Sequence, residues 1–160
     1  MKISVKFAAT VAGVVAVSGF FLAQGVAKPV QAAEITVYKS DSCGCCGGWV
    51  EHMRRSGYQV RVIPTEDLVP VKQRFEAPPS LWSCHTAVLD GTVIEGHVPA
   101  VAVTAFIKNP AQAKGIGVGG MPTGSPGMEA PGYASDRYDV MSFGDGAPAR
   151  FMTFVGADPA

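Results

Sequence analysis

The fold is decided by the stretch from Glu34 to Arg55, which reads EITVYKSDSCGCCGGWVEHMRR. Its first six residues, Glu34–Lys39, alternate apolar and polar side chains, which is typical of a β-strand with one buried face. The polar Ser40-Asp41-Ser42 that follows favours a turn capable of capping a helix. A helix is therefore predicted from Gly44 to Ser56, ended by Gly57, with a cluster of cysteines at its N-terminus.

Outside this stretch, hydrophobic periodicity and turn residues predict further strands and helices. The pair Asp90-Gly91 is a strong hairpin signal, because two-residue hairpin turns require positive φ. The Gly- and Pro-dense residues 115–132 predict a long loop without regular structure. The other predicted elements are a strand at Tyr58–Ile63, a helix at Glu66–Phe75, strands at Thr86–Leu89 and Thr92–Glu95, a helix at Pro99–Lys108, and a C-terminal hairpin of Tyr138–Phe143 with Arg150–Phe154.

The N-terminal residues follow the pattern of a secretory signal peptide. Two lysines form a positive start, residues 7–22 are apolar, and the small residues at 30–33 suit signal peptidase. An uncleaved membrane anchor is the alternative, but the apolar run has about one membrane thickness at best and contains two glycines. We therefore predict that residues 1–33 are a cleaved signal peptide and that residues 34–160 are a single domain exported to the periplasm.

Length and charge exclude some classes of function. A chain of 160 residues is long enough for one domain with a real core. Without the three lysines of the leader, 10 basic and 13 acidic side chains remain, so the net charge is −3 and does not attract nucleic acid. No later stretch is apolar enough to span a bilayer. The mature chain is predicted to bind neither nucleic acid nor a membrane.

Four cysteines lie in the predicted mature chain: Cys43, Cys45, Cys46 and Cys84. An oxidising compartment favours disulfides, but three cysteines crowded into four positions are a poor layout for two bridges. A strand followed by Cys-x-x-Cys at the start of a helix is the thioredoxin arrangement, so we predict a thioredoxin-like α/β fold with a central mixed sheet, flanking helices and the C-terminal hairpin. A helix N-terminus favours thiolates, which serve redox chemistry and metal binding alike. The spacing leaves both functions open.

Three features favour a metal site. Cys45 lies inside the motif, where it would scramble a catalytic disulfide, whereas a polynuclear thiolate site uses every sulfur. Cys84 and His85 lie in the loop before the third strand, where a thioredoxin-like protein usually carries a cis-proline. Met121 and Met128, in the Gly- and Pro-rich loop, offer thioether sulfur, a soft donor suited to Cu(I). We therefore predict a copper site on the four cysteines, with His85, Met121 and Met128 as weaker candidates.

Two other functions remain open on the residues alone. A thiol-disulfide oxidoreductase would use Cys43 as nucleophile and Cys46 as resolving thiol. A four-cysteine iron-sulfur or zinc protein is the third possibility, although the adjacent Cys45 and Cys46 would diverge by about 100° on a helix and suit bridging thiolates better than one tetrahedral zinc ion. His52 is expected on a solvated helix face, and His97 in a local hydrogen bond.

Five strings of the predicted mature chain carry a resemblance to a known family: VYK (37–39), CGCCGGW (43–49), SCHTA (83–87), EGHVPA (95–100) and GMPTGSPGME (120–129). Together they resemble the CopG-type periplasmic copper-resistance proteins, a thioredoxin-like family formerly known as a domain of unknown function. The resemblance covers nearly the whole mature chain. It implies copper bound by the four cysteines, a role in changing the oxidation state of copper, and action beside copper-efflux or copper-resistance proteins. Whether the chain turns over as an enzyme stays open.

Overall fold

The computed structural model of the protein describes residues 34–110 and 112–160. The predicted signal peptide, residues 1–33, lies outside the described residues. The strands and helices of the described part of the chain are β1 (Glu34–Lys39), α1 (Gly44–Arg55), β2 (Gln59–Pro64), α2 (Val69–Arg74), a 3-10 turn (Pro79–Leu81), β3 (His85–Leu89), β4 (Thr92–Glu95), α3 (Ala100–Lys108), β5 (Gly115–Gly117), β6 (Arg137–Phe143), β7 (Ala149–Val155) and β8 (Asp158–Pro159). From β1 to α3 the chain forms a strand, a helix, a strand, a helix, a hairpin and a helix, in the predicted order.

The strands form one mixed sheet in the order β2-β1-β3-β4-β5-β6-β7-β8. Strands β1 and β2 are parallel and are joined through α1, whereas β3 runs antiparallel to both β1 and β4. The short β5 is parallel to β4 and antiparallel to β6. The protein is therefore a mixed α/β protein with a central sheet, as predicted, and its first four strands are compatible with the thioredoxin-like arrangement.

The buried faces of β1 and α1 fix the position of the cysteine helix. Ile35 and Val37 point from β1 into the core and are fully buried. Trp49, Val50 and Met53 form the buried face of α1, at the predicted helical spacing. Each fully buried side chain of this size contributes roughly 1.5–3 kcal/mol. This apolar contact holds the N-terminus of α1, and with it the cysteines, at one end of β1.

The second helix is shorter than the predicted range 66–75 and begins at Val69. Its N-terminal turn is made by Asp67, whose Oδ1 accepts the N–H of Val69 at 3.0 Å, and not by Thr65 as the sequence suggested. Pro70 lies in the first helical turn, where its fixed φ is compatible with a helix and its missing N–H costs nothing. None of the helices in the described residues has the length and apolar character needed to cross a membrane.

The prediction that residues 115–132 form a loop without regular structure is wrong at the beginning of this range. Residues Gly115–Gly117 form β5, and only 118–132 lack regular structure. Gly115 is required there by packing, because a Cβ at this position would lie 2.7 Å from the ring of Phe143. Strand β5 joins the C-terminal hairpin to β4, so this hairpin extends the central sheet and is not a separate appendage.

Candidate metal site

Three of the four cysteines lie at the N-terminus of α1. Cys43 is the N-cap residue, and its N–H donates to the carbonyl of Ser40 at 3.1 Å, which closes the turn after β1. The Sγ atom of Cys45 lies between two other sulfur atoms, 3.4 Å from Cys43 Sγ and 3.8 Å from Cys84 Sγ. The sulfur atoms of the four cysteines all lie within 4.8 Å of one another. The structure thus brings together the four cysteines that the sequence singled out.

Cys43 and Cys46 form a disulfide bond, whereas Cys45 and Cys84 are free thiols. The sequence left this pairing open, as the alternative to a site in which all four sulfurs bind metal. Thiolate is the form that binds metal, so Cys43 and Cys46 can act as ligands only after reduction. The site therefore has an oxidised form with two available sulfurs and a reduced form with four.

Cys84 is held in place by the buried carboxylate of Glu95, which binds a residue before Cys84 and a residue after it in the sequence. Oε1 of Glu95 accepts the N–H of Ser83 at 2.8 Å, and Oε2 accepts the hydroxyl of Thr86 at 2.7 Å. The ammonium of Lys72 donates to the same Oε1 at 2.5 Å. Burial raises the pKa of Glu95, and the positive charge of Lys72 opposes that rise. This network fixes the backbone on either side of Cys84.

His97 is oriented toward Cys84 by the loop that follows β5. Its Nδ1 lies 2.8 Å from the carbonyl oxygen of Pro126, and its Nε2 lies 3.0 Å from Cys84 Sγ. Because a carbonyl oxygen only accepts, Nδ1 carries the proton and Nε2 is left with a lone pair. Metal-binding histidines are commonly held in this way by a carbonyl behind the ring. Cys84, His85 and His97 form a second group of candidate ligands.

His85, predicted as a weaker candidate, is fully buried beside Cys84. Its ring packs 4.5 Å from the ring of Trp49 and 5.0 Å from that of His97. Its Nδ1 lies 3.6 Å from Cys84 Sγ, and among the described residues its buried Nε2 has no hydrogen-bond partner. Burial, followed by the proximity of His97, lowers the pKa of His85 well below its ordinary value. The imidazole is therefore neutral, which is the form that binds metal ions.

The electrostatic surroundings of Cys84 favour a neutral thiol in the absence of a cation. Burial raises the pKa of Cys84 to about 12, and the neighbouring Cys45 thiol adds to that rise. A thiolate in this position requires a compensating positive charge, and a coordinated metal ion supplies one by deprotonating the thiol outright. Burial also lowers the pKa of His97, so its Nε2 keeps a lone pair that can bind a metal ion.

The loop that carries the two candidate methionines packs its backbone against α1. A Cβ on Gly127 would lie 2.6 Å from the backbone nitrogen of Trp49, and a Cβ on Gly48 would lie 2.8 Å from Gly127 Cα. Gly127 also has a φ of +84°, which L side chains rarely adopt. These two glycines allow the loop to approach the first turns of α1 and to present the Pro126 carbonyl to the site.

The two methionines of this loop differ in exposure. Met121 is 52% exposed, whereas Met128 is half-buried, and its backbone N–H donates to Ser125 O at 2.7 Å. Both lie on the segment that reaches the cysteine helix. Their role as thioether ligands stays a prediction.

His97 was not among the predicted ligands, although the sequence contains the signal that places it. In the β3–β4 hairpin, Thr86 pairs with Glu95 around the two-residue turn Asp90-Gly91. Continuing this antiparallel register by two residues from the Thr86–Glu95 pair sets Cys84 opposite His97. The Asp90-Gly91 signal by itself predicts only the hairpin, and the Cys84–His97 contact follows only when the register is extended past both strands.

The expectation that His52 lies on a solvated face is wrong. His52 is half-buried, and its Nε2 accepts the N–H of Ala100, the first residue of α3, at 3.0 Å. Burial lowers its pKa, and the nearby Arg55 lowers it further. His52 therefore accepts a backbone N–H at the N-terminus of α3 that has no partner within the helix, and it does not belong to the site.

The fold and the site define an α/β protein in which clustered sulfur and imidazole donors could hold a soft metal ion. Two solved structures of copper resistance protein CopG, described as Form 1 and Form 2, are each 36% identical in sequence with a TM-score of 0.73. The match to Form 1 covers 79% of this chain and 100% of that structure, and the match to Form 2 covers 78% of this chain and 99% of that structure. The chain therefore belongs to the CopG family of copper-resistance proteins.

A family model described as a protein of unknown function, DUF411, matches residues 81–128. That segment contains Cys84, His85, His97 and the loop with both methionines, but not the cysteines of α1. No curated protein is significantly similar to the chain.

Proposed function

We propose that the protein is a periplasmic copper-binding protein of copper resistance, which holds Cu(I) on the thiolates of Cys43, Cys45, Cys46 and Cys84. The observation that carries this proposal is the convergence of the four sulfur atoms within 4.8 Å. Membership of a family of copper-resistance proteins supports it. In this proposal the signal peptide directs the chain to the periplasm, and copper-efflux or copper-resistance proteins exchange copper with it.

The chemistry of the donors fits Cu(I). Thiolate, thioether and imidazole are the donors that Cu(I) prefers. Sulfur–sulfur distances of 3.4 Å (Cys43–Cys45) and 3.8 Å (Cys45–Cys84) favour thiolates that bridge neighbouring ions, so the proposed site is polynuclear. His97 and His85 supply nitrogen donors beside Cys84, and Met121 and Met128 are the proposed thioether donors. Copper is the cargo of this site, and a change between Cu(I) and Cu(II) is part of the proposed function.

The proposal is tested by the copper content of the mature protein, isolated anaerobically from copper-exposed cells. We expect at least one copper ion per chain, and a several-fold lower content in Cys84→Ser, because serine removes the sulfur that faces both Cys45 and His97. His52→Ala is a matched control, since it removes a half-buried donor outside the site. A Cys84→Ser protein that is folded and retains the full copper content would contradict the proposal.

The Cys43–Cys46 disulfide favours a second candidate function, thiol-disulfide exchange. Cys43 at the N-cap of α1 would be the attacking thiol, and Cys46, which is fully buried, would be the resolving thiol. Insulin reduction by metal-free protein tests it. Turnover that persists in the variant lacking both Cys45 and Cys84 would support an oxidoreductase, and absence of turnover would leave copper binding as the better account.

A further inference from the structure

The disulfide divides the sulfur atoms of the site into two pairs with different chemistry. Cys43 and Cys46 are joined to each other, whereas Cys45 and Cys84 remain thiols 3.8 Å apart. His97 Nε2 lies 3.0 Å from Cys84 Sγ in this same oxidised form. The two free thiols and the His97 nitrogen therefore remain available as metal ligands after Cys43 and Cys46 have been oxidised. Low coordination by soft donors of this kind suits Cu(I).

From this division we propose that Cys43 and Cys46 are the electron donors that reduce Cu(II), while Cys45, Cys84 and His97 retain the Cu(I) formed. The inference rests on the proposed copper-binding function and assigns the source of electrons within it. Two Cu(II) ions each accept one electron and become Cu(I). The two thiolates lose one electron each, the Cys43 Sγ–Cys46 Sγ bond forms, and any thiol protons pass to solvent.

The position of Cys45 connects the two pairs. Its Sγ is 3.4 Å from Cys43 Sγ and 3.8 Å from Cys84 Sγ, so copper bound to Cys45 is next to both the electron-donating pair and the retaining pair. Cys46 is fully buried, and its Sγ lies 3.5 Å from the carbonyl of Cys84. The disulfide and the contacts among Cys45, Cys84 and His97 are present in the same structure, so the disulfide is compatible with the retaining donors.

The experiment uses the fully reduced mature chain under anaerobic conditions, mixed with two equivalents of cupric chloride. A Cu(I)-specific chelator measures the Cu(I) produced, and alkylation followed by peptide mass analysis locates the disulfide. We expect two Cu(I) ions per disulfide formed, with the bond between Cys43 and Cys46. After removal of copper, Cys45 and Cys84 should both be alkylated.

Two variants separate reduction from retention. Cys43→Ser/Cys46→Ser keeps the retaining donors and should reduce Cu(II) at least tenfold more slowly than the unmodified chain. His97→Ala keeps the electron donors and should reduce Cu(II) at the unmodified rate, but should release Cu(I) to the chelator at least tenfold faster. His52→Ala, which removes an imidazole outside the site, should match the unmodified chain in both measurements.

The outcomes distinguish this inference from the function on which it rests. A copper-induced disulfide between Cys45 and Cys84, or equal rates of Cu(II) reduction with and without Cys43 and Cys46, overturns the division of roles and leaves copper binding intact. Retention of the added copper as Cu(II), with all four thiols still reduced, does the same. A reduced chain that retains no copper of either oxidation state after gel filtration overturns the proposed function itself.

Discussion

Replacing Lys72 with methionine should destabilise the fold by about 3–5 kcal/mol at neutral pH, the range measured for buried pairs that lose one partner. The Lys72 ammonium lies 2.5 Å from Glu95 Oε1, and the two side chains are 5% and 0% exposed. Methionine keeps most of the aliphatic volume, so the change removes chiefly the positive charge. It leaves a carboxylate buried without its counter-charge beside the loop that carries Cys84.

The pH dependence of this loss follows from the pKa of Glu95. Burial raises that pKa above its ordinary 4.5, and Lys72 opposes the rise, so removing Lys72 raises the pKa further. The folded variant then binds more protons than the unfolded chain above pH 4.5, and stability decreases as the pH rises through that window. The destabilisation should therefore be greatest at neutral pH and should decrease toward pH 4.5.

Urea unfolding followed by tryptophan fluorescence, with the same cysteine oxidation state in every sample, measures the effect. Lys114→Met is the matched control; the ammonium of Lys114 also binds a carboxylate, that of Glu76, but both side chains are exposed, so the loss should be much smaller. Lys72→Met/Glu95→Gln should recover most of the stability, because the glutamine carbonyl can still accept the N–H of Ser83. A loss below about 1 kcal/mol at pH 7, or an equal loss at pH 5, would refute the reasoning.

Two further predictions concern the contacts around α1. Gly127→Ala should destabilise the fold by about 1–3 kcal/mol more than Gly132→Ala in thermal or urea unfolding. Both positions have φ near +85°, but the new methyl group clashes with the backbone of Trp49 at Gly127 and meets open space at Gly132. Equal losses of stability would mean that the loop does not pack tightly on α1. His52→Ala should cost about 1 kcal/mol at pH 7.5, because it orphans the Ala100 N–H. Since the pKa of His52 is lowered, its contribution should disappear as the pH falls below 6.5, and a difference from the unmodified chain that is independent of pH would contradict this.

Local signals were sufficient for the elements that lie around the cysteines. Alternating side chains predicted β1 at Glu34–Lys39 as observed, and the turn before the cysteines and Gly57 after them placed the ends of α1 within one residue. The prediction failed at Gly115–Gly117, because three residues with two glycines carry no periodicity of their own. That strand exists through hydrogen bonds to β4 and β6, which are distant in sequence.

The buried network under Cys84 illustrates a second limit. The sequence predicts that Lys72 lies in the helix at 66–75 and that Glu95 ends the strand at 92–95, and neither segment by itself indicates that its charged residue is buried. Their pairing depends on how α2 packs beside β3 and β4, and a charge is stable in the core only when its partner is brought there too. Sequence patterns on single elements contain no information about such a pairing.

The sequence by itself determined the order of the elements from β1 to α3 and the grouping of Cys43, Cys45 and Cys46 at one helix N-terminus, because strand alternation, turn residues and helix ends act over a few neighbouring residues. Only the tertiary structure decided which two sulfurs are bonded, and it alone brought His97 to within 3.0 Å of Cys84. The His97–Cys84 contact joins residues that follow and precede different strands, and the choice among Cys45, Cys46 and Cys84 as the partner of Cys43 depends on distances between sulfur atoms that spacing along the chain leaves open. Such distances are set by the packing of α1, the β3–β4 hairpin and the loop at Pro126 against one another.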